Sequence, residues 1–285
     1  MYIFLRILFY LYKIYNILYM SVYSISKKGI RDQNEDKDTI IINLNNQNNN
    51  IAKINIFGVY DGHGGKFVSK YLSENLPNYF INKNITFPLS GKYIRDSFIL
   101  TQKNLETNYP VESDYCGSTC LMALEYIYEK KRYIDVVNLG DSRCIISRNN
   151  IANVITKDHK PNWPDEKKRL QQMGGEIYYD GVDWRIGALS VSRSFGDVDS
   201  KPYISIKPDI FRYKITRKDQ FMILACDGLW DVLDNQEAVN FVVSQCYDLE
   251  SNRINKKTNI ARMLADLALQ KGSSDNITAI VVFFN

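Results

Sequence analysis

The chain has 285 residues, 45% hydrophobic and 24% charged, with a formal net charge of +4. These values exclude a disordered or polytopic membrane chain. With no Lys/Arg block interleaved with aromatics, they also leave nucleic-acid binding without support. Five cysteines (Cys116, Cys120, Cys144, Cys226, Cys246), odd in number and without a CxxC pair, predict free thiols in a reducing, cytoplasmic setting. Two histidines, His63 and His159, are too few for a His-rich zinc site, so a metal would be held by oxygen, which favours Mg²⁺ or Mn²⁺.

Residues 1–20, MYIFLRILFYLYKIYNILYM, are dominated by Ile, Leu, Phe and Tyr and contain no acid, but Arg6 and Lys13 interrupt them. A central Lys costs about 2.5 to 3.5 kcal/mol in a membrane span, and the charge order and missing cleavage site do not suit a signal peptide. Three readings stay open for residues 1–21: a membrane-surface anchor, a docking helix, or translated sequence upstream of a start at Met20.

Val22 to Ser26 alternates as an edge strand would, and Lys28-Gly29 turns into Arg31-Asp32-Gln33-Asn34-Glu35-Asp36. Thr39 to Leu44 and Ile51 to Tyr60 predict a hairpin whose tip, Asn45 to Asn50, is a tolerated polar insertion. The second strand ends on Asp61-Gly62-His63-Gly64-Gly65. Glycine there lets the backbone turn sharply and approach a ligand of Asp61, although an Asp-Gly pair after a strand is by default a turn. Apolar residues at helical spacing predict helices over Lys66 to Phe80 and Tyr93 to Glu106. Cys120 to Ile127 and Ile134 to Leu139 form a hairpin across the charged turn Glu129-Lys130-Lys131-Arg132, and the second strand ends on Gly140-Asp141-Ser142.

Residues 155 to 190 concentrate Pro, Gly and charge around a helical stretch, Pro164 to Met173, and predict a mobile excursion over the core. Phe221 to Ala225 followed by Cys226-Asp227-Gly228 repeats the pattern of apolar strand, carboxylate and glycine. Ile260 to Leu269 is a helix, and Ser274-Asp275-Asn276 leads into the strand Ile277 to Phe284. Asp61, Asp141, Asp227 and Asp275 thus share one context, with Glu35 and Asp36 flanking the first strand pair. Two carboxylates about 5 Å apart repel by roughly 3 kcal/mol at an effective dielectric of 20. Gathered at one sheet edge, such acids need cations, and paired divalent ions can activate water and clamp an oxyanion.

Seven ordered segments carry a family resemblance: Arg31 to Asp36, Val59 to Gly65, Gly117-Ser118-Thr119, Asn138 to Arg143, Leu189 to Asp197, Ala225 to Asp231 and Ser274 to Thr278. From residue 22 to the C-terminus the chain resembles the PP2C (PPM) family of metal-dependent protein serine/threonine phosphatases. The resemblance implies one α+β domain over 22–285, with a central β-sandwich of two antiparallel sheets flanked by helices on both sides in four layers. It implies two Mg²⁺ or Mn²⁺ ions, with a third bound loosely. Asp61 would bridge the two, the Gly62 carbonyl and Glu35 would serve one, and Asp227 and Asp275 the other. Asp36 would support from behind, and Asp141 with Asp227 would hold the third ion. Arg31 resembles the phosphate clamp and His63 the general acid.

The implied reaction is hydrolysis of phosphoserine and phosphothreonine monoesters by a metal-activated water, without a phospho-enzyme, with phosphoproteins as partners, a monomeric state, and membrane contact through residues 1–20 left open. Two alternatives stand beside it: a phosphatase of small phosphate esters, and an inactive phosphatase-fold binding protein, which the presence of Asp61, Asp227 and Asp275 counts against. Around Trp184 to Leu189 the chain departs from the family pattern, so Arg185 receives no substrate role. His159 is expected to hydrogen-bond locally and Ser192 to be structural, which sets aside a Ser/His/Asp hydrolase.

Overall fold

The computed structural model describes residues 21–44, 54–81, 85–247 and 259–284. The expectations for residues 1–20 and for the loop 45–50 lie outside the described residues. In chain order the strands that build the two main sheets are β1 (Ser21–Lys27), β2 (Lys37–Leu44), β3 (Ile54–Tyr60), then, after two short strands, β6 (Cys120–Tyr128), β7 (Lys131–Leu139), β8 (Arg143–Arg148) and β9 (Ile151–Val154), and finally β13 (Asp209–Lys214), β14 (Asp219–Ala225) and β15 (Ile277–Phe283). The short strands are β4 (Gly62–His63), β5 (Gly117–Ser118), β10 (Ile177–Tyr179), β11 (Trp184–Ile186) and β12 (Phe195–Gly196). One sheet runs β1-β15-β14-β8-β9 and the other β13-β7-β6-β3-β2, with every pairing antiparallel.

The two sheets pack face to face. Along β3, Phe57 and Val59 point into the sandwich, where they meet Leu121, Ala123, Met222, Leu224 and Ile280, while Ile54, Ile56 and Tyr60 point outward. Side chains alternate across a strand, so a strand buried on both faces is apolar at most positions, which is why β3, β14 and β15 are predominantly apolar. Burying each large apolar side chain is worth about 1.5–3 kcal/mol.

The outward faces are covered by helices: α1 (Phe67–Asn75), α2 (Gly91–Asn108) and α3 (Pro110–Tyr115) precede β5; α4 (Pro164–Gln172) lies in the excursion; and α5 (Asp227–Trp230), α6 (Asn235–Cys246) and α7 (Ile260–Gln270) follow β14. Val68, Leu72, Ile94 and Phe98 close over the β3 sheet, and Val239, Val242, Ile260 and Leu264 over the β14 sheet, giving the four expected layers. The predicted helix over Lys66 to Phe80 divides, because Pro77 at the start of its last turn supports a 3₁₀ segment, Leu76–Phe80. Helix α6 begins with a capping box in which Asp234 accepts from Glu237 N–H and Glu237 accepts from Asp234 N–H.

The segment 155–190 has structure of its own. Helix α4 and the β10–β11 hairpin pack around Leu170 and Ile186, joined by Ile204, and form a satellite core beside the sandwich. Among the described residues no helix is long and apolar enough to cross a membrane.

Candidate active site

Both β3 and β7 end at one edge of their sheet, delivering Asp61 and Asp141; β14 ends and β15 begins at the matching edge of the other, delivering Asp227 and Asp275. Arg31, Glu35, Asp61, Gly62, His63, Asp141, Asp227 and Asp275 all line one cavity of about 440 Å³ at that end. Asp36 is buried. The acids that the sequence separates by up to 240 positions are thereby gathered at one mouth.

The backbone around each acid is fixed. Asp61 N–H donates to Thr119 Oγ1 at 3.1 Å and the Asp61 carbonyl accepts from Thr119 N–H at 2.8 Å. A Cβ on Gly62 would collide with the Glu35 carbonyl and with Ser69 Oγ, so only glycine lets the two segments touch. Glu35 N–H donates to Asn276 Oδ1 at 2.8 Å, and Asn276 Nδ2 donates to the Lys28 and Gln33 carbonyls at 2.7 and 2.8 Å. One asparagine thus holds the whole 28–35 loop against the start of β15.

The electrostatics are those of crowded, desolvated carboxylates. Burial, then Asp227, Asp36, Asp141 and Asp275, push the Asp61 carboxyl well above its ordinary range. Burial, then Asp141, Asp231 and Asp275, do the same to Asp227. Asp36 is pushed up to about 6 by burial, with Asp275 adding to it and the Thr278 hydroxyl and Cys226 thiol opposing. Asp141 is also pushed up to about 6 by burial, against the pull of Lys160. Neither oxygen of Asp141 has a hydrogen-bond partner, and neither has Asp36 Oδ2.

Asp61, Cys226 and Asp227 place their ligand atoms within 4.8 Å of one another. Cys226 is the poor member of this group for a hard cation. Its sulfur accepts from Thr278 N–H at 3.1 Å, and burial followed by Asp36, Asp61 and Asp227 holds it as a thiol.

Three residues enter that the sequence did not single out. Asp197, buried, lies 2.8 Å through Oδ2 from His63 Nε2, and burial, which alone would lower the His63 pKa, is outweighed by this carboxylate, so the imidazole is raised. Lys160 Nζ stands 3.8 Å from Asp141 Oδ2 and 3.4 Å from Asp231 Oδ1 and supplies a resident positive charge. Asn276 is the third, through its grip on the 28–35 loop. Arg31, more than half exposed, folds onto Asp275 Oδ2 at 2.8 Å and onto the Ser274 carbonyl.

The residues set aside behave as expected. His159 Nδ1 accepts from Gly140 N–H at 3.0 Å, its Nε2 lies 3.2 Å from Asp209, and Ser192 Oγ is bound to Glu166 and the His159 carbonyl. Ser192 and the His159 ring therefore form no nucleophilic pair. Arg185 lines the cavity wall, but its guanidinium is held by Asp180 and the Ala188 carbonyl.

Comparison with known proteins identifies the family. The family model for protein phosphatase 2C matches residues 20–277. A PP2C-like domain-containing protein of Acanthamoeba polyphaga mimivirus is 43% identical over 173 residues, covering 55% of this chain and 97% of that protein. Probable protein phosphatase 2C 7 of Oryza sativa is 35% identical over 236 residues, covering 81% of this chain; the chain spans 58% of that longer relative. Among solved structures, serine-threonine phosphatase 2C from Toxoplasma gondii superposes with a TM-score of 0.72 at 26% identity, covering 93% of this chain and 95% of that one. With a family model matching most of its length and an antiparallel sandwich that carries carboxylates at one end, the chain belongs to the protein phosphatase 2C family.

Proposed function

We propose that this protein hydrolyses phosphoserine and phosphothreonine monoesters of proteins with the help of two divalent cations held by Asp61, the Gly62 carbonyl, Glu35, Asp227 and Asp275. The observation that supports it is the set of desolvated carboxylates converging from four strand ends, with both Asp141 oxygens and one Asp36 oxygen lacking any hydrogen-bond partner. Acid clusters of this kind suit hard cations with oxygen ligands, and the thiol beside them does not compete. Bound there, Mg²⁺ or Mn²⁺ would supply charge neutralisation, polarisation of phosphoryl oxygens and a water of lowered pKa.

The chain's own groups would do the rest. Arg31, at the rim, offers a planar fork to two phosphoryl oxygens. His63, whose protonated form Asp197 favours, would give its proton to the departing serine or threonine oxygen. Asp36 supports the cluster from behind, and Asp141 with Asp227 would take a third, weaker ion in competition with Lys160.

Phosphopeptide hydrolysis tests this directly. Turnover should vanish in EDTA and return with Mn²⁺ or Mg²⁺, phosphopeptides should be preferred over sugar phosphates, and Asp227→Asn should lose activity by at least about a hundredfold. Near-normal metal-dependent turnover by Asp227→Asn would overturn the assignment.

A further inference from the structure

A second concentration of charge lies at the other end of the sandwich. Strand β7 runs from Lys131 to Leu139 and meets the carboxylate cavity at Asp141, so its first residue stands about 25 Å away at 3.3 Å per residue. There Lys130, Lys131, Arg132, Lys214 and Arg217 line a cavity of about 440 Å³ together with Phe284. Arg132 is engaged, by Glu125 and by the Phe284 ring 5.5 Å from its guanidinium carbon. Among the described residues, Lys130, Lys131, Lys214 and Arg217 have no carboxylate in ion-pair range, and all four are exposed.

The turns that carry them are firmly built. Glu129 and Lys130 sit in left-handed backbone at φ 48° and 60°, the tight reversal that points Lys130 and Lys131 off the sheet end. Buried Asp219 accepts from Thr216 N–H at 2.7 Å and from Thr216 Oγ1 at 2.8 Å, which closes the turn bearing Arg217. The one acid on the hairpin tip is Glu129.

An exposed apolar pair adjoins this surface. Ile127 and Tyr128, on the same hairpin, are 50% and 41% exposed. Strand β1 begins at Ser21, which pairs with Phe283, one residue from the Phe284 of the cavity wall. Residues 1–20, which join β1 at this point, are rich in Ile, Leu, Phe and Tyr, contain no acid, and carry Arg6 and Lys13.

We propose that this end of the sandwich is a docking surface for an anionic membrane, with Lys130, Lys131, Lys214 and Arg217 meeting lipid phosphate groups beside the exposed Ile127 and Tyr128. Stable attachment of a peripheral protein takes two signals, an apolar one and a polybasic one; here Ile127 and Tyr128 stand beside the basic residues, and the sequence carries an apolar segment ahead of β1. A phosphopeptide would use the cations but would leave the exposed Ile127 and Tyr128 without a partner. The geometry also turns the carboxylate cavity away from the bilayer, leaving it open to protein substrates.

Vesicle co-sedimentation of the full chain tests the proposal. Binding to vesicles of phosphatidylcholine with roughly one-third phosphatidylserine should be about tenfold tighter than to phosphatidylcholine alone at about 0.1 M salt, and the preference should collapse near 0.5 M. The variant K130A/K131A/K214A/R217A should lose the preference while keeping wild-type turnover of p-nitrophenyl phosphate. The pair K130E/K131E, confined to the hairpin, provides the same reading should the fourfold variant fold poorly. Equal binding to both vesicle types, an undiminished preference in both variants, or capture of an acidic phosphopeptide that anionic vesicles do not displace would overturn it.

Discussion

His63 Nε2 lies 2.8 Å from Asp197 Oδ2, although 134 positions separate them. A three-stranded sheet of two-residue strands makes the pair: β4 and β12 flank β5, so that His63 and Gly196 both stand opposite Gly117. Asp197 is itself held by Ser194 Oγ and adopts left-handed backbone at φ 47°, a conformation that Asp and Asn tolerate better than most residues. The carboxylate overcomes the effect of burial and raises the imidazole pKa, so the imidazolium persists to higher pH than it would alone.

Asp197→Asn keeps the backbone conformation and removes the charge. Burial is then opposed only by the weaker pull of Asp141 and Glu35 and the His63 pKa falls, so the alkaline limb of kcat should move to lower pH, with KM for phosphopeptide little changed. A pH profile superimposable on that of the wild type would show that the pair is structural only.

Gly117→Ala acts on the same pair through space. A Cβ at Gly117 would run into both Asp197 Oδ2 and His63 Nε2, with the Asp197 carboxyl carbon close behind. The added methyl must drive the two side chains apart. Activity should drop at least about tenfold while thermal stability, measured by calorimetry, falls by about 1–3 kcal/mol, the usual cost of overpacking. Full activity would mean that the pair can shift without consequence.

The metal-free protein should be more stable in mild acid than at neutral pH. Burial pushes Asp36 and Asp141 up to about 6, above the ordinary aspartate value of 3.8, so the folded state binds more protons than the unfolded chain between those values. Stability therefore declines as pH rises from about 4 and the loss is complete somewhat above 6, with Asp61 and Asp227 extending the window upward. In EDTA the melting temperature should be several degrees higher at pH 5 than at pH 8, at about 2–4 °C per kcal/mol for a chain of this size. Mn²⁺ should raise the value at pH 8 and flatten the dependence. A melting temperature that rises with pH in EDTA would contradict this account.

Much of the sandwich was legible because β3, β14 and β15 are buried on both faces and so read as largely apolar runs with an acid next to one end. Strand β13 was not legible, since its half-exposed residues lack both an apolar run and a glycine boundary, and α3 is too short for periodicity to register. The candidate site residues came from ordered motifs, and all of them but the buried Asp36 line one cavity. What those motifs could not convey is pairing. Asp197 is a motif residue whose role depends on a sheet only two residues wide, Lys160 acts across the sandwich end on Asp141, and Asn276 works through carbonyls of a distant loop.

The contact of Arg31 with Asp275 carries the last prediction. Arg31 NH2 donates to Asp275 Oδ2 at 2.8 Å, while Asp275 Oδ1 accepts from Asn276 N–H at 2.6 Å, so both oxygens of a proposed cation ligand are already engaged. A cation taking Asp275 would compete with the guanidinium for the same carboxylate, and a freed fork is then available to a phosphoryl group. Arg31→Ala should consequently have opposite effects on two measurements. Mn²⁺ should bind a few-fold more tightly by calorimetry, because a competing charge is gone, whereas KM for phosphopeptide should rise by about tenfold or more as the bidentate contact is lost. Arg31→Lys should recover the charge but little of the phosphopeptide affinity, since an ammonium lacks the planar fork. Weaker Mn²⁺ binding in Arg31→Ala would mean that the arginine orders Asp275 for the cation instead of competing with it.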